Sequence, residues 1–369
     1  MDWKGHAILA PLTKGGNLPF RRLCIDFGAK VTMSEMAYAR QVTKRSKSEL
    51  ALLRKHASEP TFGVQLAARD PKEAISAGLA AVERGAAFVD LNCGCPIHDV
   101  VRRGMGATLL QQPNKLVRLV AEMVTGLPVP VTVKIRAGWD EEHVIAPELA
   151  RMLEEVGAAA VTLHARTREQ RYTKAADWGL VARLVSERKI PIIGNGDLLT
   201  WYEDKTKQEE SGCASVMLGR GVLIKPWLFL EIAEQRSYEP GPEARVAILR
   251  KLAVYMKEHF RDDAKGKERA MRFLPWHLGF LCRYRPLPFE RYGEQAKVHP
   301  LMQTRLPEDP DLPLLERLLR DPREELHVRL ALELWDARDD ADAIERFLAV
   351  AAVMPPTSAE AGEVRVGHG

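Results

Sequence analysis

The stretch Asn92-Cys93-Gly94-Cys95-Pro96 sets two thiols one residue apart, directly after the largely apolar run 88–91. Such a run reads as a buried strand, and Asn, Gly and Pro close it in a loop, where reactive groups are commonly mounted on a rigid scaffold. A cysteine there can serve as nucleophile, metal ligand or proton donor. Zinc is not expected, because Cys93 and Cys95 are too close together and no second Cys or Cys/His pair lies at ligand spacing.

Other residues capable of chemistry stand at comparable places. In Val131-Thr132-Val133-Lys134-Ile135-Arg136, strand alternation sends Thr132, Lys134 and Arg136 to one side. The same rule groups His164 with Arg166, and Gln65 and Asn92 fall on the matching side of their own runs. Two further runs end in Gly194-Asn195-Gly196-Asp197 and Gly219-Arg220-Gly221. Loops of this kind expose backbone N–H groups, and with a helix N-terminus behind them and Arg220 alongside they suit a phosphate.

These groups need a frame that gathers strand ends. Short apolar runs recur at residues 7–10, 31–34, 62–66, 88–91, 131–135, 160–163, 190–193 and 215–218, separated by amphipathic stretches such as 71–84 and 146–156 that stop at Gly85 and Gly157. Repeated strand–helix units imply a parallel sheet, and eight of them imply a closed (β/α)8 TIM barrel, an α/β fold. An open doubly wound sheet is the alternative, but no GxGxxG follows an early strand. In a barrel the inward polar groups fall at the C-terminal rim, and the loops after strands seven and eight are its usual phosphate site.

The expected organisation is a barrel over residues 1–240, a smaller basic helical domain over 241–306, an acidic helical extension over 307–354 and a disordered tail over 355–369. The formal charge of +4 hides a segregation: Lys+Arg against Asp+Glu is 33 to 28 before residue 241, 14 to 7 over 241–306 and 7 to 15 thereafter. The basic segment points to a phosphate-bearing partner. A chain of 369 residues, 46% hydrophobic and 28% charged, can bury a large core. No apolar run is long enough to span a membrane, the N-terminus lacks the pattern of a signal peptide, and five sparse cysteines make no disulfide framework. A cytoplasmic protein without membrane contact follows as the expectation.

A barrel with a mononucleotide phosphate site and an inward Lys and Gln points to flavin mononucleotide, FMN. A cation near the pyrimidine end of a flavin favours its anionic reduced form, and Lys134 is the candidate. A thiol facing reduced flavin then serves as proton donor, since an ordinary Cys is protonated at neutral pH.

Across roughly residues 7–305 the chain resembles the tRNA-dihydrouridine synthases. The resemblance is carried by Ala10-Pro11-Leu12, Val64-Gln65-Leu66, the Asn92 to Pro96 stretch with residues 104–109, and Val133-Lys134-Ile135-Arg136. It continues through His164-Ala165-Arg166-Thr167, Arg168-Glu169-Gln170-Arg171-Tyr172, residues 194–197 and Gly219-Arg220-Gly221. Thr173-Lys174, Lys225-Pro226-Trp227-Leu228-Phe229 and residues 272–274 and 280–284 are most similar to the eukaryotic branch acting on the tRNA variable loop. The resemblance implies FMN bound by Pro11, Leu12, Thr13, Gln65, Lys134, His164, Asn195, Gly196, Asp197, Gly219 and Arg220, with NADPH as reductant. It implies that Cys95, matching the Gly-Cys-Pro of the family motif, protonates C5 of the target uracil after hydride reaches C6. Asn92 and Arg136 would hold the uracil, while Arg166, Arg168, Arg171, Tyr172 and Lys174 would line the RNA approach.

That branch carries zinc-finger motifs ahead of its barrel, whereas this chain reaches its first strand almost at once, so RNA affinity from fingers is not expected. Two other readings use the same flavin site: an FMN-dependent reductase of free pyrimidines or another small conjugated substrate, and a flavin-bearing RNA-binding protein with little turnover. The target uridine, the RNA and the oligomeric state are not specified by these residues.

Overall fold

The computed structural model describes residues 3–306 and 311–353. They form two compact units: residues 3–222, 227–237 and 287–304 make the first, and residues 223–226, 238–286, 305–306 and 311–353 the second. The segment expected as disordered, 355–369, lies outside the described residues.

The first unit is built on nine parallel strands: β1 (Ile8–Leu9), β2 (Val31–Met33), β3 (Ala37–Tyr38), β4 (Thr61–Ala67), β5 (Phe88–Cys93), β6 (Val131–Arg136), β7 (Ala160–His164), β8 (Ile192–Asn195) and β9 (Ser215–Leu218). β1 pairs with both β2 and β9, and β2 pairs with β4, so eight strands close into a barrel while the short β3 adds only to β4. The TIM barrel read from the sequence is the fold. β8 begins after Pro191, which has no N–H to give a ladder.

Alternation fills the barrel in layers. At its N-terminal end Ile8, Val31, Met33, Phe88, Ala160, Ile193 and Met217 form an apolar plug with Trp3, whose ring meets Phe88 edge-on at 5.1 Å. Gly63 gives the Phe88 ring its space, since a Cβ there would lie 2.1 Å from Cζ. Two residues further along each strand the inward set turns polar, with Gln65, Asp90, Thr132 and Thr162, then Asn92, Lys134, His164 and Asn195. The plug therefore supports a polar layer open only towards the C-terminal rim.

The helices around the barrel start at side-chain caps. Asp70 accepts from Glu73 N–H at 2.9 Å, and Thr200 with Glu203 forms a capping box that satisfies the first turn of the Trp201–Ser211 helix. Glu203 has a second task, because its Oε1 accepts from Leu301 N–H at 2.8 Å. Phe289 packs on Trp201 and Tyr202, at 5.5 and 5.4 Å between ring centroids. These contacts bind residues 287–304 to the barrel, so the 241–306 segment is divided between the two units.

In the second unit, the helices Pro242–Phe260, Ala264–Ala270 and Leu274–Leu281 pack with Leu314–Arg320, Glu324–Asp336 and Asp340–Ala352. Leu249, Leu252, Met256, Leu278, Leu330 and Phe347 are among the buried residues. The opposite charges of the two segments meet here. Glu316 binds Arg245 and Arg320, Asp340 binds Arg250 at 3.1 Å, and Asp336 binds Lys267 at 2.6 Å. Among the described residues, no helix is long and apolar enough to cross a membrane.

Candidate active site

At the C-terminal rim, one cleft gathers Ala10, Pro11 and Leu12 after β1, Lys134 of β6, His164 of β7 with Tyr172 beyond it, Asn195 to Leu198 after β8, and Gly219, Arg220 and Gly221 after β9. Nine of the eleven residues expected to hold the cofactor line it. Thr13 is exposed outside it, and Gln65 lies deeper, fully buried. The reading also missed Leu198, Met217 and Met302, which line the cleft, and Gln303, which donates to Asp197 Oδ2 at 3.2 Å and to the Lys174 carbonyl at 3.0 Å.

The cleft is rich in cations. Lys134 Nζ donates to Asn195 Oδ1 at 3.1 Å, and burial, then Arg136, lowers its pKa to about 8. Arg136 is held by the carbonyls of Gly94 and Thr167 at 2.9 and 2.8 Å. Burial followed by the Arg136, Lys134, Arg166 and Arg220 charges holds His164 well below the usual imidazole range, so it is neutral. Arg166 can only donate, which makes His164 Nε2, 3.2 Å away, the acceptor and puts the ring proton on Nδ1. Asp197 answers part of this charge: its carboxylate binds Arg166 on one oxygen and Arg220 Nη2 at 3.2 Å on the other, while Arg220 lies over the Tyr172 ring at 3.8 Å.

An anionic ligand fits this arrangement. An ammonium has three N–H groups, and the contact to Asn195 uses one, so Lys134 can direct others into the cleft it lines. At Gly219 a Cβ would meet only Leu12 Cδ2 at 3.8 Å and Ala10 Cβ at 4.0 Å, both at ordinary contact distance, so its backbone is not crowded from that side. Gly221 needs its missing side chain, because a Cβ there would fall 2.2 Å from the Leu198 carbonyl oxygen.

The two thiols separate by strand parity. Cys93 follows Leu91 on the outward side of β5 and is fully buried, whereas Cys95, in the loop beyond, is partly accessible. Burial raises the Cys95 pKa against the opposing pull of the Ile97 N–H, Arg136 and Lys134, which leaves a protonated thiol at neutral pH. Asn92 fixes its loop: Oδ1 accepts from the N–H groups of Gly94 and Cys95 at 3.2 and 2.9 Å. Asn92 Nδ2 donates to Gln65 Oε1 at 2.7 Å, and Gln65 Nε2 donates to Asp90 Oδ2 at 2.8 Å. Asp90, absent from the sequence reading, has the same parity as Asn92, and that was the signal that could have found it.

The residues expected along the RNA approach divide. Tyr172 stands in the cleft and Arg171 is exposed beside it, with a left-handed φ of 45°. Lys174 is exposed and pairs with Glu141 at 2.5 Å, and Arg168 covers the Trp139 ring at 4.6 Å. Arg166 is fully buried and donates to Asp197, His164 and the Lys174 carbonyl, so it shapes the site from beneath.

Fold and site together define a (β/α)8 barrel with a cationic cleft and a protonated thiol on its rim. The dihydrouridine synthase family model matches residues 8–295, and the chain belongs to that family. A Xenopus tropicalis protein named tRNA-dihydrouridine(47) synthase [NAD(P)(+)]-like is 44% identical over 289 residues, covering 78% of this chain and 45% of that protein. The Homo sapiens protein of the same name is 44% identical over 303 residues, covering 81% and 46%. The chain thus spans about half the length of the curated relatives it matches. Among solved structures, the 6-hydroxypseudooxynicotine amine oxidase of Pseudomonas geniculata N1 is similar in fold, with a TM-score of 0.51 at 11% identity over 71% of this chain and 52% of that one.

Proposed function

We propose that this chain reduces the C5=C6 bond of a uridine in tRNA to dihydrouridine, with FMN as cofactor and NADPH as reductant. Position 47, which the relatives' names carry, is the expected target. The observation that supports the reading best is a protonated thiol, Cys95, on a loop that Asn92 and Arg136 hold beside the Lys134 strand.

FMN, when bound, supplies the hydride. Lys134, Asn195, Gly196, Gly219 and Arg220, with Pro11 and Leu12, are the residues that would hold it. Cys95 holds the proton destined for C5, and its raised pKa keeps that proton in place until carbanion character develops on the base. Arg136 reaches the same loop and is suited to a uracil carbonyl. Asn92 spends both side-chain atoms on Gln65 and the loop, so in this reading it orients Cys95 more than it grips the base. A uridine must leave its stack to enter such a cleft, at a cost of about a few kcal/mol. Phosphate contacts offset that cost, and the exposed Lys265, Arg269 and Arg272 of the second unit are the cations proposed for them. The reading places the protein in the cytoplasm, where Cys24, Cys93, Cys95, Cys213 and Cys282 remain free thiols.

The test is to incubate the purified protein with FMN, NADPH and unmodified tRNA transcripts, then digest and weigh the nucleosides. A gain of two hydrogens on one uridine is expected. Turnover of free uracil with no change in any tRNA would replace this reading with a small-pyrimidine reductase. Tight tRNA binding without either product would leave a flavin-bearing RNA-binding protein.

A further inference from the structure

Asp90 does not line the cleft, yet every hydrogen bond that holds the Cys95 loop through Asn92 leads back to it. Its Oδ2 accepts from Gln65 Nε2 at 2.8 Å, and its Oδ1 accepts from Thr132 Oγ1 at 2.6 Å. Gln65, Asp90 and Thr132 stand in register on three adjacent strands, β4, β5 and β6. Gln65 and Asp90 are completely buried and Asn92 is 7% exposed, so water cannot replace a lost partner there.

We infer that Asp90 is a positioning residue for Cys95, fixing through the Gln65 and Asn92 amides the loop that carries the thiol; this rests on the function proposed above. An ionised carboxylate only accepts, so it dictates that Gln65 turn its NH2 inward and its oxygen towards Asn92. Asn92 must then donate to Gln65, which turns Asn92 Oδ1 towards the N–H groups of Gly94 and Cys95. Reversing either amide would set donor against donor. Thr132 holds the carboxylate at the base of the chain, and Asp90, whose pKa burial raises to about 6, is ionised at neutral pH. Two neutral amides alone have no such preferred sense; the donor-only N–H groups of Gly94 and Cys95 at one end and the acceptor-only carboxylate at the other fix it together.

The test compares Asp90→Asn with Asp90→Leu. Asn can still turn its oxygen to Gln65 and its NH2 to the Thr132 hydroxyl, so the chain stays anchored at both ends; Leu leaves the buried Gln65 Nε2 with no acceptor and frees that end. In the flavin-loaded protein, Asp90→Leu should slow uridine reduction about ten- to a hundred-fold, the scale of a small misplacement at a reacting centre. NADPH-driven flavin bleaching, which does not use Cys95, should stay within about two-fold, and Asp90→Asn should recover most of the loss. Without flavin, iodoacetamide should alkylate Cys95 at least about three-fold faster in Asp90→Leu and at the wild-type rate in Asp90→Asn, because a freed loop exposes its thiol. Should Asp90→Leu not fold, Gln65→Met cuts the same chain one link on and must reproduce the faster alkylation. Wild-type alkylation in the broken-chain variant, equal loss of both half-reactions, or an Asp90→Asn as impaired as Asp90→Leu would overturn the inference. A wild-type protein that reduces no uridine would instead overturn the proposed function, while the alkylation comparison still decides whether Asp90 sets the loop.

Discussion

Arg166, buried behind the cleft, and Asp197, in its wall, form an ion pair with side chains 0% and 1% exposed. Neither charge can be relieved by solvent, so removing one leaves the other stranded. Asp197 has a φ of 55°, in the left-handed region that Asn tolerates well, and Asp197→Asn therefore changes charge without adding backbone strain. The variant should lose about 3 kcal/mol of unfolding free energy, the usual range for breaking a buried pair. Urea unfolding against wild type measures it, and a change within experimental error would show the pair to be neutral to folding.

Lys134 makes stability depend on pH with a definite sign. Its pKa falls from 10.5 unfolded to about 8 folded, chiefly through burial. Between those values the unfolded chain binds the extra proton, so stability must rise with pH across that window. Relative to Lys134→Met, wild type should gain about 2 kcal/mol between about pH 7 and about pH 9.5. Parallel denaturant titrations at the two pH values measure the difference, and a flat difference would mean that Lys134 titrates normally. If the ammonium serves the reaction, turnover should decline above about pH 8 over the same titration.

The barrel was legible because parallel strands are buried on both faces and stand out as short apolar runs. Alternation then told which side Lys134, His164 and Asn92 would face. It did not tell depth: Gln65 and Arg166, read as ligand contacts, lie at full burial with their polar atoms already engaged. Asp90 was hidden inside the run 88–91, whose other three residues are apolar. Met302 and Gln303 were beyond reach for another reason. They arrive at the rim by a return of the chain 106 residues after Asp197, and no local period encodes such a return. The charge segregation after residue 240 was readable as a count, but the pairing of Arg245 with Glu316, 71 residues apart, was not.

The thiol assignment predicts two different phenotypes. Cys95→Ala should keep flavin and its NADPH-driven bleaching while uridine reduction falls about a hundred-fold or more, the usual scale for a lost general acid. Cys93 packs on the outward side of β5 with no access to the cleft, so Cys93→Ala should leave uridine reduction within about two-fold and cost about 1 kcal/mol of stability. Single-turnover kinetics with reduced protein and tRNA separate the two. Full activity in Cys95→Ala would move the proton donor elsewhere.

In the second unit the acidic helices already occupy cations that, under the proposed function, RNA would otherwise meet. Asp336 holds Lys267 at 2.6 Å and Asp340 holds Arg250 at 3.1 Å, with the two cationic side chains 31% and 21% exposed. Pairs this close to solvent are worth at most about 1 kcal/mol each, so Asp336→Asn with Asp340→Asn should fold normally. The double variant frees two cations for phosphate, and each one engaged steepens the fall of log K with log salt by about 0.9. A slope steeper by nearly 2 is therefore expected in tRNA binding measured across a salt series. Lys265→Gln with Arg269→Gln, which removes two exposed cations, should flatten the slope by a similar amount. Unchanged slopes in both double variants would show that RNA phosphates do not meet this unit, and that the charge pairing within it serves the fold alone.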